Sequence, residues 1–296
     1  MTEARGVTGM GRRERGPVLR LLRAVAYAAL PAELVLFALL LGGVRIPGAA
    51  LLGAELAMVA LLAAEAVVWL RLRRRGLSRR EALAELVPER VLRLIGHELR
   101  LMASLWRWAA RRPHGTGGAE GVFPHARDQA ALMYGFAFVC LVETAGMSWL
   151  LADLPVVHAV VLVLDVYTVL FVLGLHAASA TRPHVLGGGR LRARQAAHVD
   201  VSVPLERIAA VRRENRFTHE KTDGELNLAV GSQTSVTLEL SEPVDVVGLL
   251  GGVRPVTTVR LHADDPGALY AAVRDAVAVT RARTAPSPGR DPLPTA

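Results

Sequence analysis

Apolar residues run along this chain in four long blocks, separated by polar segments of two different kinds. Two blocks make a hairpin over 131–177: Ala131–Leu151 (ALMYGFAFVCLVETAGMSWLL) and Pro155–Ala177 (PVVHAVVLVLDVYTVLFVLGLHA). Two more make an earlier hairpin over 24–70, one block at 24–42 and one at 48–70, joined by the turn sequence GVRIP. Each block holds about 20 residues, the length an α-helix needs to cross roughly 30 Å of hydrocarbon. The pattern therefore predicts four transmembrane helices. Pro31 removes a backbone donor inside the first and predicts a kink there. The first block is too long for a signal peptide and passes straight into a second, so it is expected to stay as an anchor behind the basic segment 1–23.

Between the hairpins, residues 71–130 change to an amphipathic pattern. Ser78 and Glu81 have capping-box spacing and predict a helix start. Leu83, Leu86, Val91, Leu94, Ile95, Leu99, Met102 and Trp106 follow at mostly three- and four-residue steps, with arginines and glutamates between them. Pro88 is expected to split this stretch into two helices. A basic helix carrying Trp106 and Trp108 suits a membrane–water interface, although packing on a soluble domain would leave the same pattern. The sequence 112–124 (RPHGTGGAEGVFP) reads as a loop rich in glycine and proline.

After residue 181 the period shifts from helical to two. Val199, Val201 and Val203 alternate with polar residues, as do Val236, Leu238 and Leu240. Short β-prone runs at 190–195, 198–203, 207–213, 225–230, 235–240 and 255–263 predict six or seven antiparallel strands over a domain at 182–283. Asp265 as N-cap and Pro266 in the first turn open one closing helix, with Leu269, Tyr270, Val273 and Val277 on its apolar face. The tail 284–296 is proline-rich and expected to be disordered.

The segment RPHVLGGGRLRARQAAHVDVSVPLERIAAVR (182–212), with Val203, Pro204, Leu205, Ile208 and Val211 in its second half, resembles bacterial pleckstrin-homology-like domains that follow membrane hairpins. The whole layout is similar to uncharacterised multi-pass membrane proteins of actinobacteria. The resemblance implies a fold class: an α-helical membrane protein with four transmembrane helices, followed by a small β-rich domain with one C-terminal helix. It implies no activity.

Charge settles orientation rather than chemistry. Lys221 is the single lysine among 35 basic residues, so the formal net charge of +8 is carried by arginine. Six arginines precede the first block, thirteen lie in 71–130, and Arg182, Arg190, Arg192 and Arg194 follow the last block, whereas the two hairpin turns hold only Arg45. The positive-inside rule then places both termini in the cytoplasm of a bacterial plasma membrane. Arginines beside apolar blocks meet anionic headgroups, so the bilayer is the expected partner and nucleic acid is not. An unidentified protein partner and a homo-oligomer complete the expected associations. Cys140 is alone in the chain, which rules out an intrachain disulfide and a cysteine-based metal cluster.

Candidate chemistry is concentrated in four carboxylates. Glu33, Glu55, Glu143 and Asp165 each fall within about 5 Å of the middle of their span, at 1.5 Å per residue. Such groups are costly in hydrocarbon and normally face a bundle interior or water. Two readings stand: protonated carboxyls acting as interhelical hydrogen-bond glue, which is preferred, or a proton or cation pathway. No Glu-x-x-His pattern accompanies them, His97-Glu98 lacks the second histidine of a zinc-protease motif, and Gly187-Gly188-Gly189 precedes a strand as a turn does. No catalytic, metal or cofactor-binding residues are expected. Arg212, Arg213 and Arg216 are a weaker candidate, for contact with an anionic lipid. The sequence thus points to a non-enzymatic, membrane-anchored binding or scaffolding module, with a small proton or cation transporter as the rival.

Overall fold

The computed structural model describes residues 46–217 and 222–284, with Val25 and Leu36 as single helical positions upstream. The segment 1–23, the rest of the first predicted span with Glu33, and the tail beyond Thr284 lie outside the described residues. The chain divides into two compact units, 1–92 and 93–296.

In the first unit, α1 (Gly48–Arg74) matches the second predicted span and continues four residues into its arginines. None of its residues is buried. Apolar side chains exposed all round a helix suit hydrocarbon and not water. Gly76 ends the helix at φ +85°, and Leu77 N–H returns to Leu72 O at 3.4 Å, a Schellman closure that favours glycine at this position. The expected capping box then starts α2 (Arg79–Leu86). Glu81 N–H donates to Ser78 Oγ at 3.2 Å, and Ser78 N–H donates to Glu81 Oε2 at 2.7 Å. Pro88 separates α2 from α3 (Glu89–Ala109), as its ring requires.

From Arg93 onward α3 belongs to the second unit. Leu101 is fully buried in a small cluster with Ala178, Ala196 and Ala197. The other flank leaves Ile95, Leu99 and Trp106 exposed, Trp106 at 78%. One flank of the helix is thus packed against the rest of the unit, and the other presents apolar side chains outward.

The second hairpin is α4 (Arg127–Leu150) and α5 (Pro155–Thr181), which pack on each other and turn at 151–154. With α1 they are the three helices, among the described residues, that are long and apolar enough to cross a membrane. Their mean hydropathies are 2.0, 1.6 and 2.5 in chain order.

The remainder is β-rich, in two four-stranded sheets. β1 (Gly121–Phe123), β2 (His184–Gly187), β3 (Arg190–Gln195) and β4 (Val199–Pro204) form the first in sequence order. Gly188 and Gly189, both at positive φ, make the tight β2–β3 turn read from the triple glycine. A 3₁₀ turn, Leu205–Arg207, leads to β5 (Ile208–Arg216), β6 (Glu225–Leu228), β7 (Thr234–Val247) and β8 (Val253–Leu261), arranged β5-β7-β8-β6. α6 (Pro266–Thr284) closes the domain, burying Leu269, Val273 and Val277 in the common core with Leu191, Val203, Ile208, Val236, Leu238 and Leu261. Asp265 caps it as expected, its Oδ1 accepting from Ala268 N–H at 2.9 Å.

Two expectations need correction. The stretch 112–124 is not all loop, because Gly121–Phe123 is a strand pairing antiparallel with β2, Val122 opposite Val185. A three-residue strand is too short to show a period, and its partner lies beyond the whole hairpin. Nor are all strands antiparallel. β6 runs parallel to β8, with Leu226 opposite Val259, and Arg260 grips the Glu225 carboxylate beside this seam. Hydrophobic alternation defines faces and says nothing of direction.

Candidate functional site

The β-domain is interrupted by the apolar hairpin, and the place where it closes again is a built polar site. Three corners meet there: β1 turning into α4, α5 turning into β2, and β8 turning into α6. Asp264, at the third corner, donates its N–H to Pro124 O at 2.9 Å. Its Oδ1 accepts from Arg127 N–H at 3.0 Å. The residue before α4, Ala126, has no side chain able to cap, so the N-cap oxygen comes from the far end of the domain. A carboxylate at this end also meets the positive pole of the helix.

Three buried histidines surround the clasp. His184 stacks on His125 with ring centroids 4.4 Å apart. His184 Nε2 lies 2.8 Å from the carbonyl of His262 and its Nδ1 accepts from Arg194 N–H at 3.0 Å. A carbonyl only accepts, so Nε2 carries the proton and Nδ1 a lone pair: the ring is neutral and fully used. Burial pushes His184 down to about 4, and the nearby His262 and Arg194 push the same way, against the hydrogen bond to His262 O. Burial, then His184 and His262, also hold His125 well below the usual histidine range. Neither ring nitrogen of His125 has a hydrogen-bond partner among the described residues. His262 Nε2 sits 3.1 Å from Asp128 Oδ2, an ion-pair distance whenever the imidazole is protonated.

Arg194 ties a fourth segment into the junction. From β3 it donates to His114 O at 2.9 Å and Gly115 O at 3.2 Å, while His114 N–H donates to Thr181 O at 2.7 Å. The loop after α3, the end of α5 and the first sheet are thereby one hydrogen-bonded assembly. Chemically, this arrangement fixes geometry. The buried Ser235 hydroxyl is engaged by Ala263 N–H at 3.2 Å. Among the described residues no three His, Cys, Asp or Glu side chains are grouped to hold a metal ion.

Of the four carboxylates singled out in the apolar blocks, Glu55 belongs to the first unit, and Glu143 and Asp165 to neighbouring helices of the second. Glu33 lies outside the described residues. Glu55 is exposed on α1 and Glu143 is exposed on α4, while Asp165 is half-buried on α5, its buried Oδ2 without a partner among the described residues. On β5, Arg212 is paired with Glu239 at 3.0 Å, and Arg213 projects from the opposite face of the strand, beside Gly267. Arg212, Arg213 and Arg216 are all exposed. The histidine clasp had a faint signal in the sequence. His125, His184 and His262 each stand within two residues of a strand end, in FPH, RPH and RLH, but nothing local shows that they meet.

No protein-family model matches the chain, and no curated protein or solved structure is significantly similar to it.

Proposed function

We propose that this chain is a multi-pass protein of a bacterial plasma membrane that acts as a non-enzymatic, membrane-anchored binding or scaffolding module. The observation that carries the reading is the closure of the β-domain across the base of the hairpin. β1 comes before the hairpin and β2 after it, and Asp264 caps α4. A domain attached through two strands, a helix cap and the Arg194 bridge is held in a set posture, as a platform for a partner must be. A domain on a flexible tether would need none of these bonds.

In this reading the first predicted span completes a four-helix membrane part, and arginine placement puts both termini in the cytoplasm. The domain is taken as a pleckstrin-homology-like module. Its two four-stranded sheets and closing C-terminal helix support that assignment, and the parallel β6–β8 pair is a departure from it. The exposed flank of α3, with Ile95, Leu99 and Trp106, would rest in the membrane interface.

A transporter is the rival, and the buried, unpaired Oδ2 of Asp165 is the observation in its favour. Flux of protons and cations in liposomes holding the full-length protein separates the two, with wild type compared with Glu143→Gln and Asp165→Asn. The module reading expects all three to match protein-free liposomes. Flux in the wild type that disappears in the amide variants would replace it with a carrier.

A further inference from the structure

A cavity of about 450 Å³ opens between the end of α3 and the end of α5, lined by Trp108, Arg111, Arg112, Pro113, Ala180 and Thr181. Its size is within the roughly 300–1,000 Å³ of ordinary ligand sites. Its depth is marked by an aromatic group at the boundary of the spans. The Trp108 indole meets His176 edge-on at 5.8 Å, and Tyr134 Oη lies 3.1 Å from His176 Nε2. Indole and phenol rings gather where hydrocarbon gives way to headgroups. Ala180 and Thr181, a few residues beyond the apolar run of α5, therefore lie at headgroup level.

The charge around the cavity is unbalanced. Arg111 and Arg112 line it, and Arg182 directly follows Thr181. Arg182 is 8% exposed, and its Nε has no hydrogen-bond partner among the described residues. Burial, and then the neighbouring Arg100, Arg107 and Arg194, disfavour the charge on Arg182, and Asp200 opposes them. Asp200 is already engaged, by Arg192 at 2.6 Å and Arg194 at 3.6 Å. A buried guanidinium among other guanidiniums is costly without an anion. The backbone repeats the message. Arg111 occupies the left-handed position of a Schellman closure at φ +52°, with Arg112 N–H returning to Arg107 O at 2.8 Å. Glycine is the usual residue there, so Arg111 is held in a conformation that a residue with a Cβ disfavours.

We propose that this cavity binds the phosphate of an anionic phospholipid, with Arg111 and Arg112 as its direct ligands and Trp108 against the glycerol region. The ligand chemistry is a phosphate ester, and the membrane is its source because the cavity opens at headgroup depth. Arginine suits the task, since its planar fork pairs with two phosphate oxygens at once. The site is separate from Arg212, Arg213 and Arg216. The inference rests on the membrane placement of α4 and α5 and is independent of what the β-domain binds, so flux in liposomes would leave it standing.

The test measures binding of short-chain phosphatidylglycerol, short-chain phosphatidylcholine, glycerol phosphate and inorganic phosphate to the purified full-length protein in neutral detergent. Phosphatidylglycerol is expected to bind, and at least roughly ten-fold more tightly than the other three. Arg111→Gly removes a ligand and relieves the left-handed strain, so it should weaken lipid binding without lowering the melting temperature. Arg112→Gln should weaken it further and Arg112→Lys should restore part of the loss, while Arg212→Gln leaves it unchanged. Equal binding of phosphatidylcholine, or full affinity in Arg111→Gly with Arg112→Gln, would overturn the site. Inorganic phosphate binding as tightly as the lipid would overturn the membrane as its source.

Discussion

The carboxylate of Asp264 caps a long apolar helix that begins 137 residues earlier, its Oδ1 accepting the backbone N–H of Arg127 at 3.0 Å. The first turn of a helix exposes amides that the helix itself cannot satisfy, and α4 has no side chain of its own to offer. The β-domain supplies it. Domain and hairpin are therefore stabilised by the same bond.

Asp264→Ala should lower the stability of the detergent-solubilised protein by about 1 kcal/mol, the usual cost of losing an N-cap. Asp264→Asn should lose less, since an amide oxygen still caps. Hydrogen exchange locates the effect: the amides of Arg127 and Asp128 should exchange faster in the alanine variant, with β7 amides changed far less.

Acid should loosen the same junction. His184 titrates at about 4 in the folded protein and at the ordinary histidine value when unfolded, so between those values the unfolded chain binds the extra proton. Its contribution is complete above about pH 6.5 and is lost as the pH falls toward 4, a change on the order of 3 kcal/mol. His125 acts with the same sign. Its ring nitrogens are buried without partners among the described residues, so His125→Phe should preserve the stack on His184, hold or raise stability at pH 7, and flatten the acid limb. Melting temperatures from pH 7.5 to 4.5 for wild type and variant check both statements.

Leu101 is the apolar anchor of α3. It is fully buried and lies against Gly174 of α5, where a Cβ would stand 3.5 Å from the Leu101 Cβ. Leu101→Ala should cost roughly 2–5 kcal/mol. Gly174→Ala should be tolerated, because 3.5 Å is ordinary contact, and Gly174→Leu should not. Limited proteolysis after Arg111 and Arg112 reports whether α3 has come away from the hairpin.

How much of this was legible in the sequence depended on how local each signal was. Ser78 with Glu81, Pro88, Asp265 with Pro266, and the glycines at 188 and 189 act within a few residues, and each element they predict is present. The two blocks of the second hairpin became α4 and α5 with starts and ends moved by at most four residues, because apolar length alone defines them. What stayed hidden was long-range. Gly121–Phe123 is a strand only because Val185 lies opposite, and β6 is parallel only because its neighbour is β8 and not β7. The three histidines carry no mark of their meeting, since strand pairing across the hairpin brings them together. The carboxylates were the conspicuous pattern; Glu143 stands exposed on α4, and the buried Oδ2 of Asp165 on α5 has no partner among the described residues.

The decisive question is whether the β-domain is held in one posture on the hairpin. Spin labels at Asp153→Cys, in the turn between α4 and α5, and at Arg274→Cys, on the exposed side of α6, address it in a Cys140→Ser background. Electron–electron distance measurements on the protein in liposomes should give a single narrow distribution. A broad distribution, as from a domain swinging on a loose tether, would contradict the account.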